Sequence, residues 1–260
     1  SLVVDLPENL KEYYNAYTWN SGNIRNGIAE GHPITTLTGL GYKRNKNGDI
    51  LISSISGTPI VDSEWTVLAD RNPALTYGVT TNLSYKGFRL SAMLSGMAGA
   101  TVVNGTMRTM MEKGQSWESV RLRENRHYVF EGVLQDGFEN SDNPTKNTVA
   151  VDMWKYAGTS IFGGNDEDWL EKDVNYLKLA EVRLSYAVPS GWLKKATKGF
   201  ISNASVFVAA NDLCTFTNYS GVDPVGNTMS AAGGGTGGQG YDVWGIPAPR
   251  TYSFGVSLTF

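Results

Sequence analysis

Hydrophobic and polar residues alternate with a period of two in several long stretches of this chain, the pattern of strands, whose successive side chains point to opposite faces. In LTYGVTTNLSYKGFRLSAMLSGMA (75–98), Leu75, Tyr77, Val79, Leu83 and Tyr85 share one face, and after Lys86-Gly87 the phase changes to Phe88, Leu90, Ala92 and Leu94. Two strands joined by a minimal turn are predicted, with Gly87 supplying the positive φ that such a turn needs. The closing stretch PRTYSFGVSLTF is as regular: Tyr252, Phe254, Val256, Leu258 and Phe260 alternate with Ser253, Gly255, Ser257 and Thr259. It predicts a final strand with one oily wall and one small, polar wall. A soluble sandwich and a membrane barrel both use such strands.

A second pair of strands is predicted over 176–189 and 200–213. Val182, Leu184, Tyr186 and Val188 oppose Glu181, Arg183 and Ser185, while Leu177 and Leu179 fall out of phase, so a β-bulge or a rim crossing is expected near Ala180. Pro189 ends the first of these strands, and SGWLKKATKG makes a short connection with one helical turn around 192–196. Upstream, LTGLGYKRNKNGDILIS predicts a small hairpin turning at Asn47-Gly48. TMRTMMEKGQSWESVRLREN predicts a solvated loop helix interrupted at Gly114.

The connections alternate in length. Lys86-Gly87 and the segment after Pro189 are short, whereas about 99–175 and 217–249 are long. Compact soluble domains rarely carry structureless loops beyond about 15 residues, but transmembrane barrels put short turns on the periplasmic side and long loops outside. The expected fold class is therefore all-β: a segment of an antiparallel transmembrane β-barrel with long extracellular loops and a minor loop helix. On that scheme the C-terminus is periplasmic.

Composition narrows the function classes. Of 260 residues, 22 are Lys or Arg and 25 Asp or Glu, a net charge of −3 with no basic block, so no nucleic-acid partner is expected. Mean hydropathy is −0.25 and no apolar run approaches the roughly 20 residues of a membrane helix, although barrel strands hide their hydrophobicity from such averages. SLVVDL has neither an initiator Met nor a signal-peptide pattern, which predicts that upstream residues have been removed. Cys214 stands alone, excluding a disulfide framework, and His32 and His127 are too far apart in sequence to suggest a triad or zinc site. Neither a metal nor a cofactor is expected. GGGTGGQG (233–240) contains a G-x-G-x-x-G but runs into YDVWGIPAP rather than a helix, so it reads as a flexible external loop.

Two groups of residues could carry chemistry. Asp166, Glu167, Asp168, Glu171 and Asp173 could pair as hydrolytic carboxylates, with a solvated loop as the competing reading. Trp117, Trp154, Trp169 and Trp244 in the long loops, with Tyr241 and Arg250 near the last strand, are candidates to contact a substrate. Flat rings stack on sugars or hold peptide side chains, and Arg pairs with carboxylates. Loop packing or an interfacial aromatic girdle is the alternative. Glu181 and Arg183, two apart on one strand, are expected to form an ion pair on the lumenal wall.

NPALTYGVTTNLSYKGFRLSAMLSGMAG (72–99), NYLKLAEVRLSYAVP (175–189), VFVAANDLCTFTNYSGVDP (206–224) and GIPAPRTYSFGVSLTF (245–260) stand in an order and spacing that resemble the C-terminal part of SusC/RagA-type TonB-dependent outer-membrane transporters. Residues 31–71 resemble that family more loosely. The resemblance implies a barrel of about 22 strands, of which this length holds roughly six to eight. It implies import of glycans or oligopeptides without covalent chemistry, a SusD-like surface lipoprotein as partner, and coupling to the TonB complex through a plug outside these residues. The oily face would meet outer-membrane lipid and the polar face the lumen. The final strand, with Tyr252, Phe254 and the terminal Phe260, resembles the signal read by the barrel-assembly machinery. One departure is visible: the family's acidic, calcium-type loop is here Asn45, Lys46, Asn47, Gly48 and Asp49, with too few carboxylates. The competing readings are a small self-contained β-barrel closed by SLVVDLP, or a secreted glycan-binding β module, and a hydrolase using the 166–173 carboxylates.

Overall fold

The computed structural model of the chain describes residues 2–10, 12–14, 24–159, 162, 164–225 and 240–260. The glycine-rich stretch 233–240 lies, except for Gly240, outside the described residues. Along the chain run β1 (Glu12–Tyr14), β2 (Arg25–Ala29), β3 (Thr36–Tyr42), β4 (Leu51–Ser53), β5 (Val61–Asp70), β6 (Leu75–Tyr85) and β7 (Phe88–Asn104). Helices α1 (Gly105–Glu112) and α2 (Trp117–Glu124) follow, then β8 (Val133–Gln135) and two 3-10 turns, Met153–Tyr156 and Asp166–Trp169. β9 (Leu170–Ala187), α3 (Ser190–Ala196), β10 (Asn203–Thr217), β11 (Tyr241–Asp242) and β12 (Thr251–Thr259) complete the order. The protein is mostly antiparallel sheet with a few short helices. It divides into two compact units, one built from residues up to 72, 101–172 and 225–245, the other from 73–100, 173–224 and 246–260.

In the first unit β1, β2, β3 and β5 form an antiparallel sheet in that order. Its buried seam holds Ile24, Leu37, Val103, Leu170 and Tyr241, with Leu68 and Val243 packed against them. Arg25 crosses the sheet between the Tyr14 and Trp65 rings, 3.6 and 3.5 Å from their centroids, and its guanidinium donates to both oxygens of Glu12. The predicted turn at Asn47-Gly48 is present. Asn45 organises it, its Oδ1 accepting from the N–H groups of Asn47 and Asp49. The long partner of β3 is β5, however, because β4 is only three residues and pairs in parallel with β8. The loop helix is interrupted at Gly114 as its sequence implies: φ is +70° there, and Asn104 and Ser116 cap α1 and α2 by accepting from Met107 and Ser119 N–H.

In the second unit β6, β7, β9, β10 and β12 lie side by side as a meander. Lys86 and Gly87 both have positive φ, 44° and 87°, the two-residue turn whose twist matches that of the strands it joins. Register carries the alternation across the sheet: Val79 faces Leu94, and Val208 lies between Leu184 and Phe254. Two glycines sit under aromatic rings from the neighbouring strand, Gly96 under Tyr77 and Gly255 under Phe207, and a Cβ at either would overlap the ring.

Three strand features differ from the sequence expectation. β7 runs past residue 98 to Asn104, since 100–104 are buried on both faces and show no alternation, and β9 begins at Leu170 rather than 176. The bulge near Ala180 exists, but its extra residue is on β10. Asn211 pairs with Glu181 and Cys214 with Leu179, which leaves Asp212 and Leu213 opposite Ala180. Asp212 takes φ +53°, a conformation Asp adopts more readily than most residues. The third feature is a bend at Asp173 (φ +54°), stitched by two asparagines. Asn175 accepts from Gly99 N–H (3.0 Å) and donates to Asp173 O (2.7 Å), while Asn218 accepts from Asn175 N–H (2.8 Å) and donates to the same carbonyl (3.0 Å).

The Gly87 turn yields the first prediction. A Cβ there would lie 2.9 Å from the Ala187 carbonyl oxygen at a φ that side chains disfavour. Gly87→Ala is expected to cost about 1–2 kcal/mol, read as a lower urea midpoint of the folded band on unheated gels. Gly191→Ala, in α3 with open space around it, is expected to be neutral or stabilising by about 0.5–1 kcal/mol.

Candidate functional site

Alternation and register together give the second unit one largely apolar face, interrupted by Thr81. Tyr77, Val79 and Leu83 on β6, Leu184 and Val208 in the middle, and Tyr252 and Phe254 on β12 all stand on it, Phe254 86 % exposed. A shallow trough of about 390 Å³ runs over Ala210, where a small residue lies between Val182 and Tyr252. Soluble monomers seldom leave a contiguous apolar face of this extent open, so it is an interaction surface. Phe260 ends the strand beyond it and packs on Phe200, ring centroids 5.2 Å apart.

The opposite face is lined by hydroxyl and amide side chains, among them Thr80, Asn82, Ser91, Asn211, Ser253 and Ser257. Glu181 and Arg183 share it, but they do not form the expected ion pair. The Arg183 guanidinium lies 4.0 Å from the centroid of the Phe207 ring. Phe207 is available because its directly paired neighbour is Gly255, whose missing side chain lets the ring lie along the wall. Nothing in the local sequence of Arg183 announces this contact; it needs the β9–β10–β12 register.

Of the aromatic candidates, Trp117, at the start of α2, is 72 % exposed, and Trp154, on the first 3-10 turn, 53 %. Arg126 and Arg123 bring their guanidinium carbons to 4.9 and 5.7 Å from the Trp154 ring centroid. Arg126 also donates to both oxygens of Asp152, and Asp152 accepts from Trp154 N–H, which holds ring and guanidinium together. The run RLRENRH was the overlooked sign of these arginines. Trp169 is half-buried. Trp244 is exposed at φ +57°, its N–H donating to Thr106 Oγ1 at 2.8 Å. Tyr241 is placed elsewhere: it is 0 % exposed in the core seam, where burial raises its hydroxyl pKa, so its ring presents no surface to a ligand. Arg250 is exposed in the second unit, just before β12.

The acidic stretch has structural work. Asp166, 1 % exposed, accepts from Leu40 N–H (3.4 Å) and lies 3.6 Å from Arg108 Nη1. Glu167 accepts from Tyr42 N–H (3.1 Å) and pairs with Arg44, and Asp168 accepts from the Tyr42 hydroxyl and from Asn165 N–H. Gly39 and Gly41 let this turn lie on β3, since a Cβ at Gly41 would come to 2.9 Å from Glu167 Oε2. Glu171 accepts from Asn104 Nδ2 at 2.7 Å. These carboxylates therefore satisfy the backbone and cations of their own unit rather than converging on an open cleft. Among the described residues no group of three His, Cys, Asp or Glu could hold a metal ion.

Burial raises the Asp168 pKa, partly offset by the bond from Tyr42, and burial followed by the Asp168 charge raises that of Tyr42. A carboxyl whose folded pKa is raised adds stability below its ordinary pKa, and that stability is lost as pH rises through the folded value. Asp168→Asn is expected to remove this acid-side dependence from thermal melts. Arg108→Met removes the cation beside the buried Asp166 carboxylate and is expected to cost about 1–3 kcal/mol, read as protease sensitivity within 105–172.

No protein-family model matches the chain. Two TonB-dependent receptors of Formosa agariphila do. Receptor P26 is 27 % identical over 83 % of this chain and 19 % of its own length, and receptor P3 is 22 % identical over 96 % of this chain and 21 % of its own. Among solved structures, the RagAB peptide transporter matches 99 % of the chain and 26 % of its own, with a TM-score of 0.55 and 20 % identity. The RagAB peptide importer in its open-open and closed-closed states matches with a TM-score of 0.58. The chain spans about a fifth to a quarter of the length of these proteins. Sequence and fold thus point to one resemblance: the chain is similar over most of its length to TonB-dependent receptors and folds like the matched quarter of the RagAB peptide transporter.

Proposed function

We propose that this chain is the C-terminal wall of an outer-membrane nutrient importer, a TonB-dependent transporter that takes up glycans or oligopeptides together with a SusD-like surface lipoprotein. The observation that carries the reading is the five-stranded antiparallel meander with one continuous, exposed apolar face and one polar face. In a bilayer every backbone group must be paired within the protein, and only helices and closed barrels achieve that. The meander is accordingly one arc of a larger closed barrel, of about 22 strands if it follows plugged transporters. The apolar face meets outer-membrane lipid and the polar face, with Arg183 and Glu181, lines the lumen. The 87 turn and the α3 connection lie on the periplasmic side with the C-terminus, and the 99–175 and 217–249 regions face outward. Trp117, Trp154, Trp169, Trp244 and Arg250 are the side chains proposed to meet cargo. Coupling to TonB would pass through a plug outside these residues, and Tyr252, Phe254 and Phe260 would engage the barrel-assembly machinery.

A small barrel complete in itself is less well supported. It would need a second partner for β12, which among the described residues pairs with β10 alone.

Uptake in cells tests the reading. Deleting the gene for the whole protein is expected to abolish growth on either oligopeptides or a defined glycan, and complementation to restore it. Unchanged growth on both cargo classes would count against import. Trp154→Ala and Trp244→Ala are each expected to weaken cargo binding by about threefold to tenfold, the order of one aromatic contact, measured by calorimetry on the purified complex.

A further inference from the structure

On β9 and β10 the two faces of the wall exchange character at one level. On β9, Val182, Leu184 and Tyr186 occupy the apolar face, but continuing the alternation past Ala180 puts Lys178 on that face and Leu179 and Leu177 on the other. On β10 the same exchange is made by the bulge. Ala204, Val206, Val208 and Ala210 stand on the apolar face, and beyond Asp212 and Leu213 the pairing Thr215↔Lys178 and Thr217↔Tyr176 places threonines there, sending Cys214 and Phe216 to the opposite side. One extra residue thus keeps two adjacent strands in agreement although their patterns reverse. The first charged side chains on the apolar face appear at this level and neutralise each other, Lys178 Nζ lying 2.6 Å from Asp212 Oδ1.

We infer that the Asp212–Leu213 bulge opposite Ala180 is the outer edge of the lipid-contacting belt, with bilayer hydrocarbon against the apolar face on the β12 side of the bulge and water against the same face beyond it. The inference rests on the wall reading above and names where its lipid contact ends. Strand length agrees: β10 and β12 pair over nine residues, Asn203 to Asn211, within the roughly nine to eleven that a tilted strand needs to cross the hydrocarbon. Aromatic rings mark both limits. Phe88 on Tyr186 (4.5 Å) and Phe200 on Phe260 (5.2 Å) lie at the short-turn end, and at the other end the Tyr77 hydroxyl donates to Tyr176 O (3.2 Å). A charge on the lipid side is costly at the bilayer midplane and cheap at the interface, which is where Lys178 and Asp212 fall on this assignment.

Spin labels on single cysteines in the whole protein, with Cys214 replaced by Ser, test it in phosphatidylcholine vesicles. Labels at 206 and 208 are expected to collide preferentially with oxygen, and labels at 215 and 217 with a water-soluble nickel chelate. Equal oxygen preference at 215 and 208 would overturn the boundary while leaving the wall reading standing. Nickel preference at 206 and 208 would overturn the wall reading itself.

Discussion

A strand's side chains can serve two different surroundings only if its neighbours keep the same phase, because a slip of one residue carries every side chain to the wrong face. The register of β10 between β9 and β12 is the constraint on which the second unit rests. It sets Val208 between Leu184 and Phe254, lays Phe207 along Gly255, and brings Arg183 onto the Phe207 ring. Where the sequences of β9 and β10 would lose phase with each other, Asp212 adopts a left-handed conformation and the strands regain it. The Asn-Asp-Leu segment and the Thr-Asn-Tyr segment, both part of the family likeness, thus acquire physical roles. The first makes the bulge, and the second, through Thr217 and Asn218, ties down the bend at Asp173 and Asn175.

The first unit solves a different problem, that of giving long connections a core. Its polar residues are largely engaged in that task. The acidic turn satisfies N–H groups of β3, Asn45 closes its own hairpin, and Arg25 is stacked and paired within the sheet. Among its exposed side chains, Trp154 is held beside Arg126 through Asp152. The carboxylates that resembled catalytic ones in the linear sequence thus serve as structural partners of β3.

Much of this architecture was legible beforehand. Alternation located β6, β7, β9, β10 and β12, a glycine marked the break between α1 and α2, and the Asn-Gly pair located the first turn. These features are local, decided by side-chain period and by positive φ within a few residues. The candidate sites were less legible, since an exposed tryptophan and a buried tyrosine look alike in a sequence. Tyr241 proved a core residue, whereas Trp117 and Trp154 proved exposed.

The sequence by itself determined where strands form, which residues share a face, and that the chain resembles the closing part of a TonB-dependent transporter. The tertiary structure alone decided which strand carries the extra residue, that Arg183 stacks on Phe207 instead of pairing with Glu181, and that the 166–168 carboxylates serve β3. The division has a physical cause. Period and turn chemistry act between neighbours in the chain, whereas register, burial and partner choice join residues far apart in it, such as Thr106 and Trp244, and these no linear pattern encodes.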